Sequence, residues 1–463
     1  MEPATIAAIA TPPGSGGIGI IRISGAASRN ILSALFRRSK GNTKRLQKRS
    51  SLALQSHRLY LGHIIDPAAK VLVDEVLAVV MPAPRSYTTE DVVEIQSQSG
   101  YIVLNKILKL VLAHGARLAA PGEFTQRAFI NGRIDLTQAE AVIDIINART
   151  GKSLDMAAEQ LQGRIGRRVN QIRDRLLSVL AEIEADIDFT DDVDGSDLEA
   201  HWLDKLKCGV LEPLEQLITA YEHNHFFRDG IRMAIIGRPN VGKSSLLNRL
   251  IRKERAIVTE IPGTTRDTIE EMVNIKGLPV IVIDTAGLHD TTQQIERMGI
   301  ERTHATIKAA DIVLLVVDLS QGVTREDRDI FRQIGASKHI IVMNKVDLNE
   351  KMVLPPAWEQ GVAVKVSALT GINIDALKDA IFDMGVGGRS SHGRSSLVPN
   401  LRQAESLKKT HRFVANVYAD ERREPELVAF DLRAAAGELD QILGLSYSED
   451  VLGQIFNRFC IGK

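Results

Sequence analysis

The 463-residue sequence predicts a multidomain α/β protein in which a sheet-containing domain interrupts a helical one. Near-continuous apolar runs alternate with helical patterns in residues 229–383, as expected for parallel strands buried on both faces. Helical periodicity precedes and follows that region, so we expect a discontinuous α-helical domain. Short β-rich runs separated by Gly, Pro and Ser predict an α+β domain at the start of the chain. The predicted boundaries are 1–121 for this first domain, 122–228 and 384–463 for the two helical segments, and 229–383 for the inserted domain.

The composition is typical of a cytoplasmic globular protein. Apolar residues make up 44% of the chain, and the 58 basic residues equal the 58 acidic ones, so net charge does not indicate a general nucleic-acid binder. Two cysteines cannot form a disulfide framework, and they favour a reducing compartment. The first residues lack the basic segment of a signal peptide, and no apolar run approaches the roughly 18 residues of a membrane helix. We therefore expect a cytoplasmic protein that does not contact a membrane.

Three β-rich runs predict strands in the first domain, at residues 18–24, 73–81 and 91–96. A helical stretch from Gly100 to Ala113 follows them. The strongly basic segment 37–49 is predicted to be a solvated loop, with an RNA contact as the alternative.

A long amphipathic helix is predicted in the first helical segment. Apolar residues recur every three or four positions from Ile165 to Ile187, which places them on one face. The helix is basic early and acidic late, and this polarity opposes the helix dipole. We interpret the basic face as solvated, with a nucleic-acid contact as the alternative; its residues are Arg164, Arg167, Arg168, Arg173 and Arg175.

The stretch GRPNVGKS, Gly237–Ser244, matches the phosphate-binding pattern G-x-x-x-x-G-K-[ST] between a predicted strand and a predicted helix. Its glycines allow backbone N–H groups to turn toward phosphate oxygens, and the helix N-terminus adds positive potential. Lys243 is expected to meet the β- and γ-phosphates, and the Ser244 hydroxyl to bind Mg²⁺.

Four further elements follow in the order of a GTP-binding domain: TEIPGTTRD (259–267), DTAG (284–287), NKVD (344–347) and Ser367-Ala368. The Asp347 carboxylate can accept both N–H donors of guanine N1 and N2, a pair that adenine lacks. The sequence therefore predicts GTP rather than ATP. The residues assigned to GTP are Asn240, Val241, Gly242, Lys243, Ser244, Ser245, Thr259, Glu260, Ile261, Pro262, Gly263, Thr264, Thr265, Asp284, Thr285, Ala286, Gly287, Asn344, Lys345, Val346, Asp347, Ser367, Ala368 and Leu369, with Mg²⁺ on Ser244 and Thr265.

The group that positions the attacking water is less evident. Ras-type proteins carry a glutamine directly after the DxxG element, but this chain has Leu288 there. Either hydrolysis is very slow or another residue orients the water, and Glu296 is the strongest candidate. A surface carboxylate is the alternative interpretation of Glu296. Because no arginine finger is evident, a monovalent cation held by Asn240 could supply the missing positive charge.

Together with these motifs, four other stretches closely resemble the MnmE (TrmE) family of tRNA-modification GTPases. The stretches are ATPPGSGGIGIIRISG (10–25), SYTTEDVVEI (86–95), PGEFTQRAFINGRIDLTQAEAVIDII (121–146) and FCIGK (459–463). The resemblance covers nearly the whole chain. It implies an N-terminal tetrahydrofolate-binding domain that forms a constitutive homodimer, followed by the discontinuous helical domain with an inserted Ras-like P-loop G domain.

The resemblance also implies site residues. Folate contacts would fall on Arg22, Glu94, Arg133 and Lys463. The G domains would dimerise around a K⁺ ion, and Glu296 matches the carboxylate that positions water in the family. The K⁺ ligands would be Asn240, Thr259, Ile261 and Thr264.

In the family, an FAD-dependent partner, MnmG (GidA), completes a heterotetramer. The complex adds an aminomethyl or carboxymethylaminomethyl group to C5 of the wobble uridine of certain tRNAs, with 5-formyl- or 5,10-methylene-tetrahydrofolate as the one-carbon source. Cys460 would lie near the folate carbon and act chemically, or would only hold the tail as a packed thiol. The Arg164–Arg175 face then becomes a candidate tRNA contact.

Two alternatives share part of the pattern. A ribosome-assembly GTPase of the Era or Der type would have a small RNA-binding domain after the G domain, and a one-carbon enzyme with an accessory GTPase would turn over folate without tRNA. The chain also departs from the family where Gln98-Ser99-Gly100 replaces His-Gly-Gly and where Arg133 replaces a residue that is often lysine.

Overall fold

The computed structural model describes residues 3–12, 14, 16–40, 43–46, 54–188, 195–252, 271–283, 304–348, 355–358, 361–387, 397–419 and 424–463. These residues form two compact units. The first contains residues 1–143 and 440–463, and the second contains the described residues between 144 and 439. Among the described residues, no helix is both long and apolar enough to cross a membrane.

The first unit is built on an eight-stranded sheet with the strand order β4-β3-β5-β6-β7-β2-β1-β8. All neighbouring strands are antiparallel except β1 and β8. Two helices, Ser28–Leu35 and Tyr101–Ala113, pack their apolar residues into the core of this sheet. The strands are β1 (Ile6–Ile9), β2 (Gly16–Ser24), β3 (Phe36–Lys40), β4 (Thr43–Leu46), β5 (Tyr60–Asp66), β6 (Val71–Met81), β7 (Val92–Ser99) and β8 (Arg117–Leu118).

The predicted strands and helix of this domain are confirmed, since they lie in β2, β6, β7 and Tyr101–Ala113. The prediction of a loop at 37–49 is wrong where β3 and β4 lie. Phe36 is fully buried opposite Ile64 of β5, and it anchors β3 in the sheet. Charged residues are tolerated beyond it because β4 is the edge strand of the sheet and β3 lies next to it.

Residues near the end of the sequence complete the first unit. The helices Glu123–Ile130, Leu136–Asn147 and Glu449–Phe456 share one apolar cluster with Phe459. Phe456 and Phe459 are 3% and 4% exposed, and each contributes roughly 1.5–3 kcal/mol through burial. This packing holds the tail 459–463 in the first unit.

The second unit contains a six-stranded sheet with the order β10-β11-β9-β12-β13-β14. Five strands are parallel, as predicted, and every residue of β12 is buried. The sequence did not predict β10, an edge strand antiparallel to β11. The strands are β9 (Ile231–Ile236), β10 (Glu271–Ile275), β11 (Leu278–Ile283), β12 (Ile312–Asp318), β13 (His339–Asn344) and β14 (Val362–Lys365).

The predicted amphipathic helix is confirmed as Arg164–Asp188, and six of its seven predicted apolar positions are buried, with Ile187 half-buried. The other helices of the second unit lie beside it or around the sheet. They include Gly151–Leu161, Gly195–Leu206, Glu212–Asp229, Lys243–Arg252, Arg325–Ile334, Ile374–Val386, Leu401–Ala419 and Pro425–Leu443, with a π-helical turn at Lys207–Leu211.

A polar network lies where the chain enters and leaves the sheet-containing part. Arg228, shortly before β9, pairs with Asp144 and donates a 3.3 Å hydrogen bond to Gln160. The Gln160 amide reaches Gln403 at 3.3 Å, and Gln403 bonds the backbone of Asn400. Both ends of the inserted part are therefore fixed to the same helical segment. These residues agree with an insertion, while the exact domain boundaries stay predictions.

Candidate functional site

The phosphate-binding loop joins the carboxyl end of β9 to the helix Lys243–Arg252. Gly237 (φ 148°), Asn240 (φ 62°) and Gly242 (φ 100°) have positive φ angles. Glycine adopts this backbone region without strain, whereas Asn240 is one of the few other residue types that tolerate it. Such turns direct successive N–H groups to one side of the loop, which forms a concave site for anions in front of the helix N-terminus.

Lys243 folds back over this loop. Its Nζ atom donates to the carbonyl oxygens of Gly237 (2.8 Å) and Arg238 (2.9 Å). Burial lowers the pKa of Lys243, while the negative charge of Glu326 acts in the opposite direction. Among the described residues, this half-buried ammonium donates to two carbonyl oxygens, and an anionic partner would stabilise it more, so the loop favours a phosphate.

Asn344 connects the phosphate-binding loop to the predicted guanine-reading residues. It lies at the end of β13 and is 2% exposed. Its Nδ2 donates to the Val241 carbonyl at 2.8 Å, and its Oδ1 accepts from the Ala368 amide at 3.0 Å. Asp347, three residues later, is exposed. Three separate motifs thus meet through one buried amide, and the Asp347 carboxylate faces solvent where a base can reach it.

Two supporting residues lie outside the motifs. Asp318 ends β12, is 1% exposed, and pairs with Lys345 Nζ at 2.6 Å. Lys345 also donates to the Asn240 carbonyl at 2.9 Å, so the pair joins the base-reading loop to the phosphate-binding loop. Burial raises the pKa of Asp318, but hydrogen bonds from Lys345 and Ser320 outweigh it and leave this pKa lowered. Arg249 holds the Ala368 carbonyl at 3.0 Å.

A sequence signal existed for Asp318 but not for Arg249. Asp318 is a carboxylate at the carboxyl end of an apolar run, the same position that identifies Asn344. Arg249 lies on a helix face with no distinctive spacing.

Several predicted nucleotide and metal residues lie outside the described residues. These are the stretches 259–265 and 284–287, together with Glu296. Of the predicted Mg²⁺ and K⁺ ligands, Ser244 and Asn240 are described. Ser244 lies in the first turn of the helix Lys243–Arg252, and Asn240 is exposed in the loop. Hydroxyl and amide oxygens are suitable ligands for these hard cations, so both residues fit their assignments.

The four predicted folate residues gather in the first unit. Arg22 on β2 and Glu94 on β7 are direct cross-strand partners, and their side chains form an ion pair of 2.8 Å. The Arg22 guanidinium lies 5.5 Å from the ring centre of Tyr87 and 5.7 Å from that of Phe124. Its Nη1 lies 3.5 Å from the Gly462 carbonyl.

Arg133 and Lys463 approach the same aromatic residues. The Arg133 guanidinium lies 4.8 Å from the ring centre of Tyr87, and its Nη1 donates to the Tyr87 carbonyl at 2.7 Å. The Lys463 carbonyl accepts from the Phe124 amide at 3.1 Å. Residues distant in sequence therefore converge around Tyr87 and Phe124, which the sequence did not single out although both stand inside quoted motifs.

Cys460 has an exposed thiol between two anchors. Phe459 is buried on one side, and the Lys463 amide donates to the Cys460 carbonyl at 3.3 Å on the other. Where the sequence departs from the family pattern, Ser99 Oγ donates to the Gly14 carbonyl at 3.2 Å. The hydroxyl thus ties the glycine-rich segment before β2 to the end of β7.

An ion network that is largely buried except for Arg117 supports this region from the helix Glu123–Ile130. Glu123 pairs with Arg117 and with Arg127, and Arg127 also pairs with Glu90 at 3.0 Å. Burial raises the pKa of Glu123, but hydrogen bonds from the two arginines and from the Ala120 amide outweigh it and leave this pKa lowered. The network fixes the helix that carries Phe124.

A glycine loop before a helix, a buried NKxD asparagine and a mainly parallel sheet identify the sheet-containing part of the second unit as a P-loop GTP-binding domain. Comparisons with known proteins extend this class to a family. The family model described as MnmE helical domain matches residues 136–460, and the model described as GTP-binding protein TrmE N-terminus matches residues 5–133. The chain belongs to the MnmE family of tRNA modification GTPases.

Full-length relatives support the same family assignment. The tRNA modification GTPase MnmE of Geotalea uraniireducens (strain Rf4) is 45% identical over 99% of both chains. That of Thermoanaerobacter sp. (strain X514) is 42% identical, again over 99% of both. Among solved structures, Era of Aquifex aeolicus bound to GDP·AlF4⁻ is 24% identical and covers 40% of this chain and 66% of that chain, with a TM-score of 0.27.

Family membership confirms the resemblance predicted from the sequence, the fold class and the enzyme class of a GTPase in tRNA modification. The roles of individual residues stay predictions.

Proposed function

We propose that this chain is a K⁺-activated GTPase that works with an FAD-dependent MnmG partner on tRNA. The pair adds an aminomethyl or carboxymethylaminomethyl group to C5 of the wobble uridine, and a tetrahydrofolate derivative supplies the one-carbon unit. The main observation in favour of GTP binding is the Asn344 amide, which joins the phosphate-binding loop to the residues predicted to bind guanine. Family membership supports the tRNA half.

In the G domain, Lys243 exchanges the carbonyls of Gly237 and Arg238 for the β- and γ-phosphates. Asp347 accepts two hydrogen bonds from guanine. Ser244 and Thr265 would hold Mg²⁺, and Asn240, Thr259, Ile261 and Thr264 would hold K⁺. When bound, the two cations would supply positive charge to the phosphate oxygens. Glu296 orients the attacking water.

In the first domain, Arg22, Glu94, Arg133 and Lys463 bind the folate. The position of two aromatic rings supports this assignment. The Tyr87 ring lies beside the guanidinium groups of Arg22 and Arg133, and the Phe124 ring lies beside that of Arg22. Cys460 takes part in one-carbon transfer, an assignment that its exposed thiol supports. The chain acts as a homodimer and forms a heterotetramer with MnmG. The Arg164–Arg175 face is a tRNA contact.

The alternative function, a ribosome-assembly GTPase of the Era or Der type, has less support. It requires a small RNA-binding domain after the G domain. The described residues after 396 instead form the helices Leu401–Ala419, Pro425–Leu443 and Glu449–Phe456, and the helical family model reaches residue 460.

Nucleoside mass spectrometry of tRNA from cells that lack this chain tests the proposal. We expect the modified wobble uridine to disappear, wild type to restore it, and Cys460→Ser to restore little. The purified variant should retain GTP hydrolysis that is faster in K⁺ than in Na⁺. Cys208→Ser, at the other exposed cysteine, is the matched control. Persistence of the modification without the chain would overturn the proposal, and full restoration by Cys460→Ser would remove the chemical role of the thiol.

A further inference from the structure

Tyr87 and Phe124, with Arg22, Arg133 and the chain end Gly462-Lys463 around them, form what we call the aromatic cluster. A cavity of about 490 Å³ opens beside it in the first unit. Its size is within the roughly 300–1,000 Å³ that is typical of small-molecule sites. Its ionisable lining consists of basic groups and the Tyr87 phenol, with no carboxylate. The lining residues are His57, Met81, Pro84, Arg85, Ser86, Tyr87, Thr89, Asn131, Gly132 and Arg133.

The cations of this cavity are available to a ligand. Among the described residues, Arg85 has neither a hydrogen-bond nor an ion-pair partner, and its side chain is exposed. Arg133 donates one N–H group to the Tyr87 carbonyl, and its guanidinium lies near the Tyr87 ring. Its other N–H donors can therefore bind a ligand. Two planar guanidinium groups without a carboxylate partner are suited to bind one bidentate anion.

The backbone around the cavity is held in a defined, strained shape. Thr89 (φ 62°) and His57 (φ 59°) adopt the left-handed region, which is rare for a β-branched residue such as threonine. Local bonds fix the loop: Ser86 Oγ donates to the Glu90 carbonyl at 2.6 Å, and Asn131 Nδ2 donates to the Thr88 carbonyl at 2.7 Å. Strain of this kind concentrates at binding sites, where the surrounding structure maintains it.

We propose that this cavity binds the carboxylate end of the one-carbon donor, with Arg85 as the principal contact. The inference rests on the proposed function, because it assumes that the donor is a tetrahydrofolate derivative. A folate carries two carboxylates on its terminal glutamate, and additional glutamates add further negative charges. Because Tyr87 is shared with the Arg22–Glu94 pair, one elongated ligand can contact the pair and extend into the cavity. Arg85 thereby sets a preference for polyglutamylated donors.

The test compares the binding of 5-formyl-tetrahydrofolate in its monoglutamate and triglutamate forms to the full-length chain by calorimetry. Wild type should bind the triglutamate more tightly. Arg85→Gln should weaken binding of the triglutamate by roughly three- to tenfold, the range expected for a partly exposed charge-assisted bond. The loss for the monoglutamate should be smaller. High salt should reduce the wild-type preference.

Two further variants make the result specific. Arg85→Lys keeps the charge but not the planar fork, and it should recover part of the preference. Arg58→Gln removes an exposed arginine close to His57 that does not line the cavity, and it should bind both forms like wild type. If wild type binds folate and Arg85→Gln binds each form as tightly as wild type does, the cavity proposal is overturned. If wild type binds neither form, the folate part of the proposed function fails, and the cavity proposal fails with it.

Discussion

The phosphate-binding loop is one continuous stretch, residues 237–244, whereas the aromatic cluster of the first unit combines residues as far apart as Arg22 and Gly462, 440 positions away. In the loop, the spacing of glycines and lysine already defines the backbone turn and the cation. In the cluster, the Arg22–Glu94 pair exists only because β2 and β7 lie side by side in one register. A one-residue slip of either strand would turn one of the two side chains to the opposite face. Local motifs therefore specify the first site, and long-range register specifies the second.

The largest effect that separates the two regions is expected for Lys243→Ala. Loss of the ammonium that we propose to meet the β- and γ-phosphates should lower kcat/KM for GTP by at least about a hundredfold. Folate binding should change by less than about twofold, since the substitution leaves the first unit intact. Steady-state GTPase assays and folate titration measure the two effects. Lys276→Ala, in the turn between β10 and β11, is the matched control. A comparable loss of folate affinity in Lys243→Ala would contradict the independence of the two regions.

An intermediate effect is expected for Asp318→Asn, a substitution outside the contiguous motifs. Lys345 would lose its buried partner, and the link to the Asn240 carbonyl would weaken. We expect the affinities for GTP and GDP to fall by about tenfold, as for loss of one hydrogen bond to a charged group, with a smaller change in kcat. Equilibrium titrations with GTP and GDP measure the affinities. Steady-state GTPase kinetics show whether KM changes more than kcat does.

Asp329→Asn is the control for that substitution, because Asp329 is a half-exposed carboxylate on the helix Arg325–Ile334 of the same domain. Unchanged nucleotide affinity in Asp318→Asn would mean that the contiguous motifs suffice without this pair.

The smallest effect is expected for Glu123→Gln, and it should depend on pH. The pKa of Glu123 is lower in the folded chain than the usual value of about 4.3, so its ion pairs stabilise the fold above that pH. The contribution disappears as pH falls through the lower, folded-state pKa. We expect the variant to lose about 1–2 kcal/mol at pH 7 and progressively less below about pH 4.

Thermal unfolding of wild type and variant, measured at pH 7 and below about pH 4, gives the loss of stability of the first unit at each pH and checks this expectation. Glu75→Gln, at an exposed carboxylate of β6, is the control. A destabilisation that does not change with pH would indicate that Glu123 acts through packing rather than through charge.

The sequence predicted the parts of the fold that are strongly apolar or strongly periodic. The buried strands β9, β12 and β13 are nearly continuous apolar runs, and Arg164–Asp188 carries a regular apolar stripe. It did not predict β10, and it described β3 and β4 as a loop, because strands at or next to a sheet edge need few apolar residues and derive their stability from pairing.

The candidate sites follow the same division. The spacing of the motifs is sufficient to assign Lys243 and Asn344. The placement of Tyr87 beside Arg22 and Arg133 depends on where a loop lies relative to a sheet, which no local pattern in the sequence contains.

The contact between Arg22 and the Gly462 carbonyl has a consequence for synthesis of the protein. A ribosome produces Arg22 long before Gly462, and the first strands can pair while most of the chain is still unmade. The aromatic cluster, by contrast, cannot close until residue 463 has been added and has left the exit tunnel. A fragment that ends between Val386 and Gly462 would therefore keep the phosphate-binding loop and its sheet, but it would lack the carbonyl that contacts Arg22.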